Sequence, residues 1–516
     1  MRAFLFALAA WTCISSGLAQ TVEILTAGQI LRDPAVTEAQ RLIGNVTLGH
    51  KDAVLTCDSA WRYDSGDVEV FGNVVMNQPP STRLTADYLA LRPGDEWAQA
   101  EGAVVLTHED VRLQAPSLSY QLDARRARYR SGAQIAEDGW TVTSETGRYS
   151  VGSAVMELGG NVRATKQGDT LTSDSLHWMR EAERYVFLGR TRWASEGLNF
   201  ECDRGNVVLA EPQGANGDSE RKEPVGWMSG GVVVTDGADE VHGDSLRWDE
   251  EVSEVWREVV LRSGNGASEV HGAYALQQKS DSTDLVLGRD EARAWLRQVD
   301  NGDTLLLAAV ELQRARGILT ATRNVTLVQD KLVGVGDSLA WRNAEDGTKD
   351  GTGGPGGGDV IRMFGAPELW SDGDRLSGDS LRLFLEDQRP TLLEMRGHAR
   401  VLSPANDTLA HRIQGRDLDA YFLEGELDRV KVLGNGELTY FELPEGKSGT
   451  VRMNRALCAE ITLRIENRKL TGIGLNQSPK GSIRPLRNGE NLGEFEVGEA
   501  PRLGPWETSQ QRPLPE

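Results

Sequence analysis

A block of sequence recurs in this chain at a fixed step, and that step decides the architecture before any single residue argues for chemistry. Asp58, Asp87, Pro116, Glu145, Asp174 and Asp203 open equivalent blocks, each 29 residues after the last. The blocks read Leu55-Thr-Cys-Asp-Ser-Ala-Trp61, Leu84-Thr-Ala-Asp-Tyr-Leu-Ala-Leu91, Leu113-Gln-Ala-Pro-Ser-Leu-Ser-Tyr120 and Leu171-Thr-Ser-Asp-Ser-Leu-His-Trp178. After an insertion the register resumes with Val241-His-Gly-Asp-Ser-Leu-Arg-Trp248, followed 29 residues later by Val270-His-Gly-Ala-Tyr-Ala-Leu-Gln277. Looser copies lie at 334–341, 376–383 and 414–421. A fixed period of this size marks a chain that stacks one small unit on the next.

Each period reads as two strands and two turns. The first strand carries Leu three residues before the Asp position, then an apolar residue two and four residues after it, as in Leu89 and Leu91 or Leu176 and Trp178. Positions two apart share a face, which is the alternation of a half-buried strand. The step from the first Leu to the later pair is odd, so a bulge or bend is expected near the Asp-Ser pair, where the chain turns a corner. The second strand is read as beginning at a glycine: Gly44-Asn-Val, Gly72-Asn-Val, Gly102-Ala-Val and Gly160-Asn-Val. Gly-Asn suits a tight turn or bulge with positive φ. Helical signals are weak; residues 31–41 suit a short helix or an extended lead-in.

Composition agrees with an exported, elongated β protein. Arg2, the apolar run Ala3 to Trp11 and the Ser-Ser-Gly-Leu-Ala that ends at Ala19 read as a signal peptide at 1–19. The run is too short to span a bilayer, and Ala-Trp-Thr before Cys13 is a poor lipoprotein context. Losing Arg2 takes the net charge from −21 to −22, which disfavours a nucleic-acid partner. Cys57 and Cys202 hold the same repeat position five units apart. In a regular stack that is at least roughly 24 Å, beyond the reach of a disulfide. Two insertions rich in Gly, Pro or charge, 211–224 and 343–360, read as solvated loops. They divide the chain into repeat regions 20–210, 225–342 and 361–443, then a β segment at 444–476 and a Pro-rich extended tail at 477–516.

The recurrent Gly-Asn-Val and Leu-Thr-x-Asp-Ser-Leu phrases resemble the OstA-like (organic solvent tolerance-like), or LptA, family of periplasmic lipopolysaccharide-transport proteins. The resemblance covers roughly 40–440 and is clearest over 42–209. The stretch from Asn454-Arg-Ala-Leu-Cys458 through Leu470-Thr-Gly-Ile to Asn476-Gln-Ser-Pro479 is similar to the end of the long Bacteroidetes-type members. The family implies an all-β, elongated antiparallel β-taco or β-jellyroll whose apolar inner face accepts lipid A acyl chains. It further implies a periplasmic location, with outer-membrane association left open, and partners among other OstA-like proteins of the bridge and translocon, paired strand edge to strand edge. About 13 units would give a groove about 60 Å long at the usual strand spacing, so self-association end to end is also implied.

On that reading the in-facing positions line a ligand groove. In the first region these are Val46, Val74, Leu89, Leu91, Val104, Leu118, Tyr120, Val162, Leu176 and Trp178; further on they are Leu246, Trp248, Leu339, Trp341, Leu381 and Leu383. Each has a second reading as closed core between two sheets, and the sequence leaves both open. Arg125, Arg126, Arg128 and Arg130 form the densest basic cluster and are headgroup candidates, or else a solvated strand and turn. No catalytic residue, cofactor or metal site is expected. His242 and His271 share one repeat position, which argues for a structural slot. No Gly-x-Ser-x-Gly, His-Glu-x-x-His or Walker pattern is present. Asp300-Asn-Gly-Asp303 and Asp372-Gly-Asp374 lack EF-hand spacing. The alternatives are a secreted right-handed β-helix carbohydrate-active enzyme and a structural or adhesive β-solenoid.

Overall fold

The computed structural model describes residues 22–32, 38–94, 97–208, 225–342, 358–487 and 500, apart from 281, 289–292, 301, 302, 330, 372, 387, 388, 407, 425, 445–449, 467 and 468. The signal-peptide reading and most of both insertions fall outside these residues. Among the described residues the chain forms 36 strands and two three-residue 3-10 turns, with no α-helix. Every strand pairing described is antiparallel, from Ala39–His50 against Ala53–Tyr63 to Arg452–Glu466 against Lys480–Pro485. A right-handed β-helix pairs its strands in parallel, so that alternative is removed. The lead-in at 31–41 is extended where described, and the sheet runs on through Lys480–Pro485, past the start of the Pro-rich tail. The chain divides into two compact units, Met1–Met228 and Ser229–Glu516.

In the first unit the repeat folds as a meander of long bent strands: Ala39–His50, Ala53–Tyr63, Val68–Gln78, Thr82–Arg92, Trp97–His108 and Val111–Gln121. The glycine of each Gly-Asn-Val phrase sits in mid-strand, and the strand begins earlier than the sequence suggested. Gly72 and Asn73 both have positive φ, 73° and 45°. Ladder pairs skip there: Thr56 meets Val75 while Ser59 meets Phe71. The extra residue therefore belongs to the Gly-Asn strand, and the Asp-Ser strand facing it changes face at the same level, with buried Cys57 followed by buried Ala60.

The corner is a side-chain unit. Asn73 Nδ2 donates to Asp58 Oδ2 at 2.9 Å, and Asn161 Nδ2 donates to Glu145 Oε1 at 2.5 Å. In the next copy the Arg190 backbone N–H donates to Asp174 Oδ2 at 3.0 Å. The acid of one strand thus holds the bulge of the next, and only a residue without a Cβ leaves room. A Cβ on Gly72 or Gly102 would lie 2.5 Å from the carboxylate of Asp58 or Asp87. This is why Gly and an acid recur together at the period of the fold.

Because every strand bends at the same level, the sheet creases into two walls. The first wall of this unit carries Leu48, Leu55, Met76, Leu84, Leu106 and Leu113; the second carries Leu42, Val70, Leu89, Leu91, Ala100 and Leu118. All are at most 1% exposed. Contacts across the crease show the fold-over directly. Tyr120 Oη donates to Gln78 Oε1 at 2.7 Å, although their strands are three apart in the ladder, about 14 Å along the sheet.

Candidate functional site

In each unit the inner face of the sheet is apolar, and its burial differs between stretches. In the first unit the walls touch. Val46, Val74, Leu89, Leu91, Val104, Leu118, Tyr120, Val162 and Leu176 are 0–1% exposed, and Trp178 is 8% exposed. In this structure they form closed core. Leu339, Trp341, Leu381 and Leu383 in the second unit are equally buried.

In the second unit the in-facing apolar side chains over residues 229–278 are less completely buried. Val232, Val255, Val259 and Ala275 near the crease are buried. Val234, Val241, Trp248, Leu261 and Val270, further toward the mouth, are half-buried, and so is Leu246 at the level of Val255. Cross-strand partners fix their direction: Val241 faces Leu261, and Leu261 faces Val270, in one wall, while Leu246 pairs with Val255 in the other. Gly243 and Gly272 permit the tight crease, because a Cβ on either would run into Val255 or Val286. The result is a wedge, dry at the crease and apolar but open at the mouth. Leu246 and Trp248 are thus the two sequence candidates placed on accessible apolar surface.

At the mouth of the closed slot the sequence reading missed a polar row. His50, Gln78, Thr82, His108 and Glu137 face inward there and are 2–8% exposed. The signal was present: in Val46-Thr-Leu48-Gly-His50, Val74-Val-Met76-Asn-Gln78 and Val104-Val-Leu106-Thr-His108, every second residue is apolar until the last, which is polar. Burial is the largest influence on Glu137 and holds its pKa above the usual carboxylate range, although Arg180 beside it pulls the other way. Of the four candidate arginines, Arg125 reaches this mouth. Arg126 and Arg128 lie exposed on the outer face, alternating with the in-facing Ala127 and Tyr129, and Arg130 follows them, also exposed.

His242 and His271 stand on the outer face of the second unit. His242 Nε2 lies 2.8 Å from Glu240 and His271 Nε2 lies 2.8 Å from Glu269, and Arg262 bridges the two acids. His271 also stacks on Trp295 with centroids 3.9 Å apart. Every one of these groups is engaged by a neighbour across the strands, as a structural slot requires. Among the described residues no group of three His, Cys, Asp or Glu side chains is arranged to hold a metal ion.

Cys57, Cys202 and Cys458 are free and buried. Burial pushes the Cys57 thiol up to about 11 and the Cys202 thiol up to about 12. At pH 8 the reactive thiolate is then on the order of one part in a thousand or less. Neither is expected to take up iodoacetamide at pH 8 in the folded protein, and both should do so in denaturant. Labelling in the folded state, read by mass spectrometry, would show that the slot opens at those levels.

This geometry defines a class of protein: a repeat-built antiparallel sheet creased around an apolar slot, with polar groups at its mouth. Residues 20–179 match the family model described as OstA-like protein, so the chain is OstA-like through that stretch. No curated protein matches the chain. Among solved structures it is similar to that of LptH from Pseudomonas aeruginosa, titled the LptA-homologous periplasmic component of the conserved lipopolysaccharide transport device. The likeness covers 24% of this chain and 92% of that one, at 16% identity and a TM-score of 0.18.

Proposed function

We propose that this protein binds amphipathic lipid of the lipopolysaccharide kind and takes part in its passage toward the outer membrane, with acyl chains in the slot and headgroup in water. The observation that supports the reading is the stretch 229–278 of the second unit, where in-facing apolar side chains such as Leu246, Trp248 and Leu261 are only half-buried. Each acyl methylene buried there contributes about 0.8 kcal/mol, so a few chains bind strongly without any bond being made. The OstA-like match over 20–179 supports the same reading. On it the protein is a non-enzymatic periplasmic carrier, and its strand edges would pair with other OstA-like domains of the bridge and translocon or with a second copy.

The test is photo-crosslinking in lipopolysaccharide-producing cells, from a probe amino acid at Trp248 or Leu261, with the exposed, out-facing Arg247 as control. Lipid adducts are expected at the two slot positions and not at Arg247. Equal adducts at all three would mean that the lipid does not use the slot.

A further inference from the structure

The closed slot of the first unit is fastened at its mouth by charged and polar ties between the two walls. Lys51 pairs with Asp123, 72 residues away. Beside it, Arg125 Nη2 donates to Asp52 Oδ2 at 2.9 Å. Gln78 Nε2 donates to Asp52 Oδ1 at 2.8 Å and to the Leu122 carbonyl at 3.1 Å. Two strand pairs further along, Arg180 from the second wall reaches Asp110 at 2.9 Å and also pairs with Glu137, both in the first wall. Each tie joins turns or strand ends that the ladder itself leaves apart.

We propose that these ties are a releasable clasp that doubles as a binding site for the phosphate groups of an anionic amphiphile, which replace Asp52 and Asp123 as partners of Arg125 and Lys51. The proposal rests on the slot carrying such a lipid. Three observations support it. First, the cations stand at the level where a headgroup must lie if its acyl chains occupy the apolar rows Val46-Leu48 and Val74-Met76 just beneath. Second, Asp123 and Asp52 keep 43% and 45% of their side-chain surface in water, and ion pairs so exposed are weak. A phosphate offers the same cations more acceptor oxygens and, to Arg125, a two-pronged contact. Third, opening the walls costs little apolar contact if acyl chains take it up as the walls part, since wall-to-wall contact is then replaced by wall-to-chain contact.

The carboxylates also answer a problem of charge. With a net charge of −21, the protein offers an anionic lipid a repulsive surface. Cations held at the mouth by exchangeable carboxylates give the phosphates a local site, and the carboxylate oxygens that Arg125 and Lys51 release gain hydration.

The experiment compares two double variants that cut the same ties from opposite sides. Asp52→Asn/Asp123→Asn removes the acids and leaves the cations; Lys51→Gln/Arg125→Gln removes the cations. Binding is measured to bisphosphorylated lipid A and to the same lipid with both phosphates removed, and thermal melting confirms that each variant is folded. The acid-side variant should bind the phosphorylated lipid severalfold more tightly than the unaltered protein, and the cation-side variant roughly tenfold more weakly. For the dephosphorylated lipid the two variants should shift together. Shifts of the same sign for the phosphorylated lipid would overturn the proposal, because a clasp that only ties the walls responds alike to cutting from either side. If both lipids bind equally in every form, the clasp proposal fails and the slot survives. If neither lipid binds any form, the slot reading fails and the clasp proposal falls with it.

Discussion

Replacing Trp248 by Asp is expected to weaken binding of the acyl chains by on the order of a hundredfold while costing the protein less stability than a closed-core substitution. Trp248 is half-buried, at the open end of the wedge, with Ser253 opposite it in the neighbouring strand. Removing the indole takes away a surface against which about three methylenes would be buried, and a carboxylate there must be desolvated when the chains arrive. Together these come to about 3 kcal/mol, a little over two decades in Kd. The folded protein loses less than it would at a closed-core position, because Trp248 is only part-buried.

The same substitution at Leu89 should behave in the opposite way. Leu89 is 0% exposed, so Leu89→Asp places an unpaired charge in closed core and is expected to destabilise the first unit by more than about 4 kcal/mol. Circular dichroism melts and lipid titrations on both variants separate the cases. If Trp248→Asp melts as early as Leu89→Asp, the wedge is core as well and the accessible slot does not exist.

Gly102→Val should lower the stability of the first unit by about 3 kcal/mol. Gly102 has φ of 76°, and a Cβ there would lie 2.5 Å from Asp87 Oδ2 and 2.8 Å from Asp87 Cβ. A β-branched residue in the left-handed region costs roughly 1–2 kcal/mol, and pushing Asp87 off the corner costs a comparable amount. For a unit of this size that is a fall in Tm of roughly 6–12 °C. Adding Asp87→Ala removes the contact with the carboxylate and leaves the Cβ–Cβ contact and the backbone strain, so the double variant should recover part, and less than half, of the loss. A single variant that melts with the unaltered protein would show that the corner tolerates a side chain, and the acid-on-glycine account of the repeat would be lost.

Much of this fold is legible in local sequence, because a creased sheet of identical steps repeats the same local demands. The alternation around Leu176 and Trp178 names the in-facing side chains, and Gly72-Asn73 names the left-handed pair. The odd step from Leu55 to Ala60 announces a change of face. Local reading offered a bulge or bend at Asp-Ser and a turn or bulge at Gly-Asn, and the extra residue belongs to the second. The Asp-Ser strand shows the change of face, but the Gly-Asn strand facing it holds the bulge. A bulge is shared by two strands, and one strand's pattern records only its own half. The polar row His50, Gln78 and His108 was equally readable, as the polar last member of an otherwise apolar alternation.

The candidate site was legible only as a set of equivalents. Asp174-Ser-Leu-His-Trp178 and Asp244-Ser-Leu-Arg-Trp248 are nearly the same phrase, yet Leu176 and Trp178 are buried while Leu246 and Trp248 stay half open. The period, the crease and the slot-facing side chains are all readable from the amino acids, since these follow from backbone geometry and a two-residue alternation within one strand. Where the slot is shut is a property of the folded chain. Closure depends on what stands on the opposite wall and on ties such as Lys51 to Asp123 and Arg180 to Asp110, 72 and 70 residues apart, and no pattern within a single repeat encodes a distance across the fold.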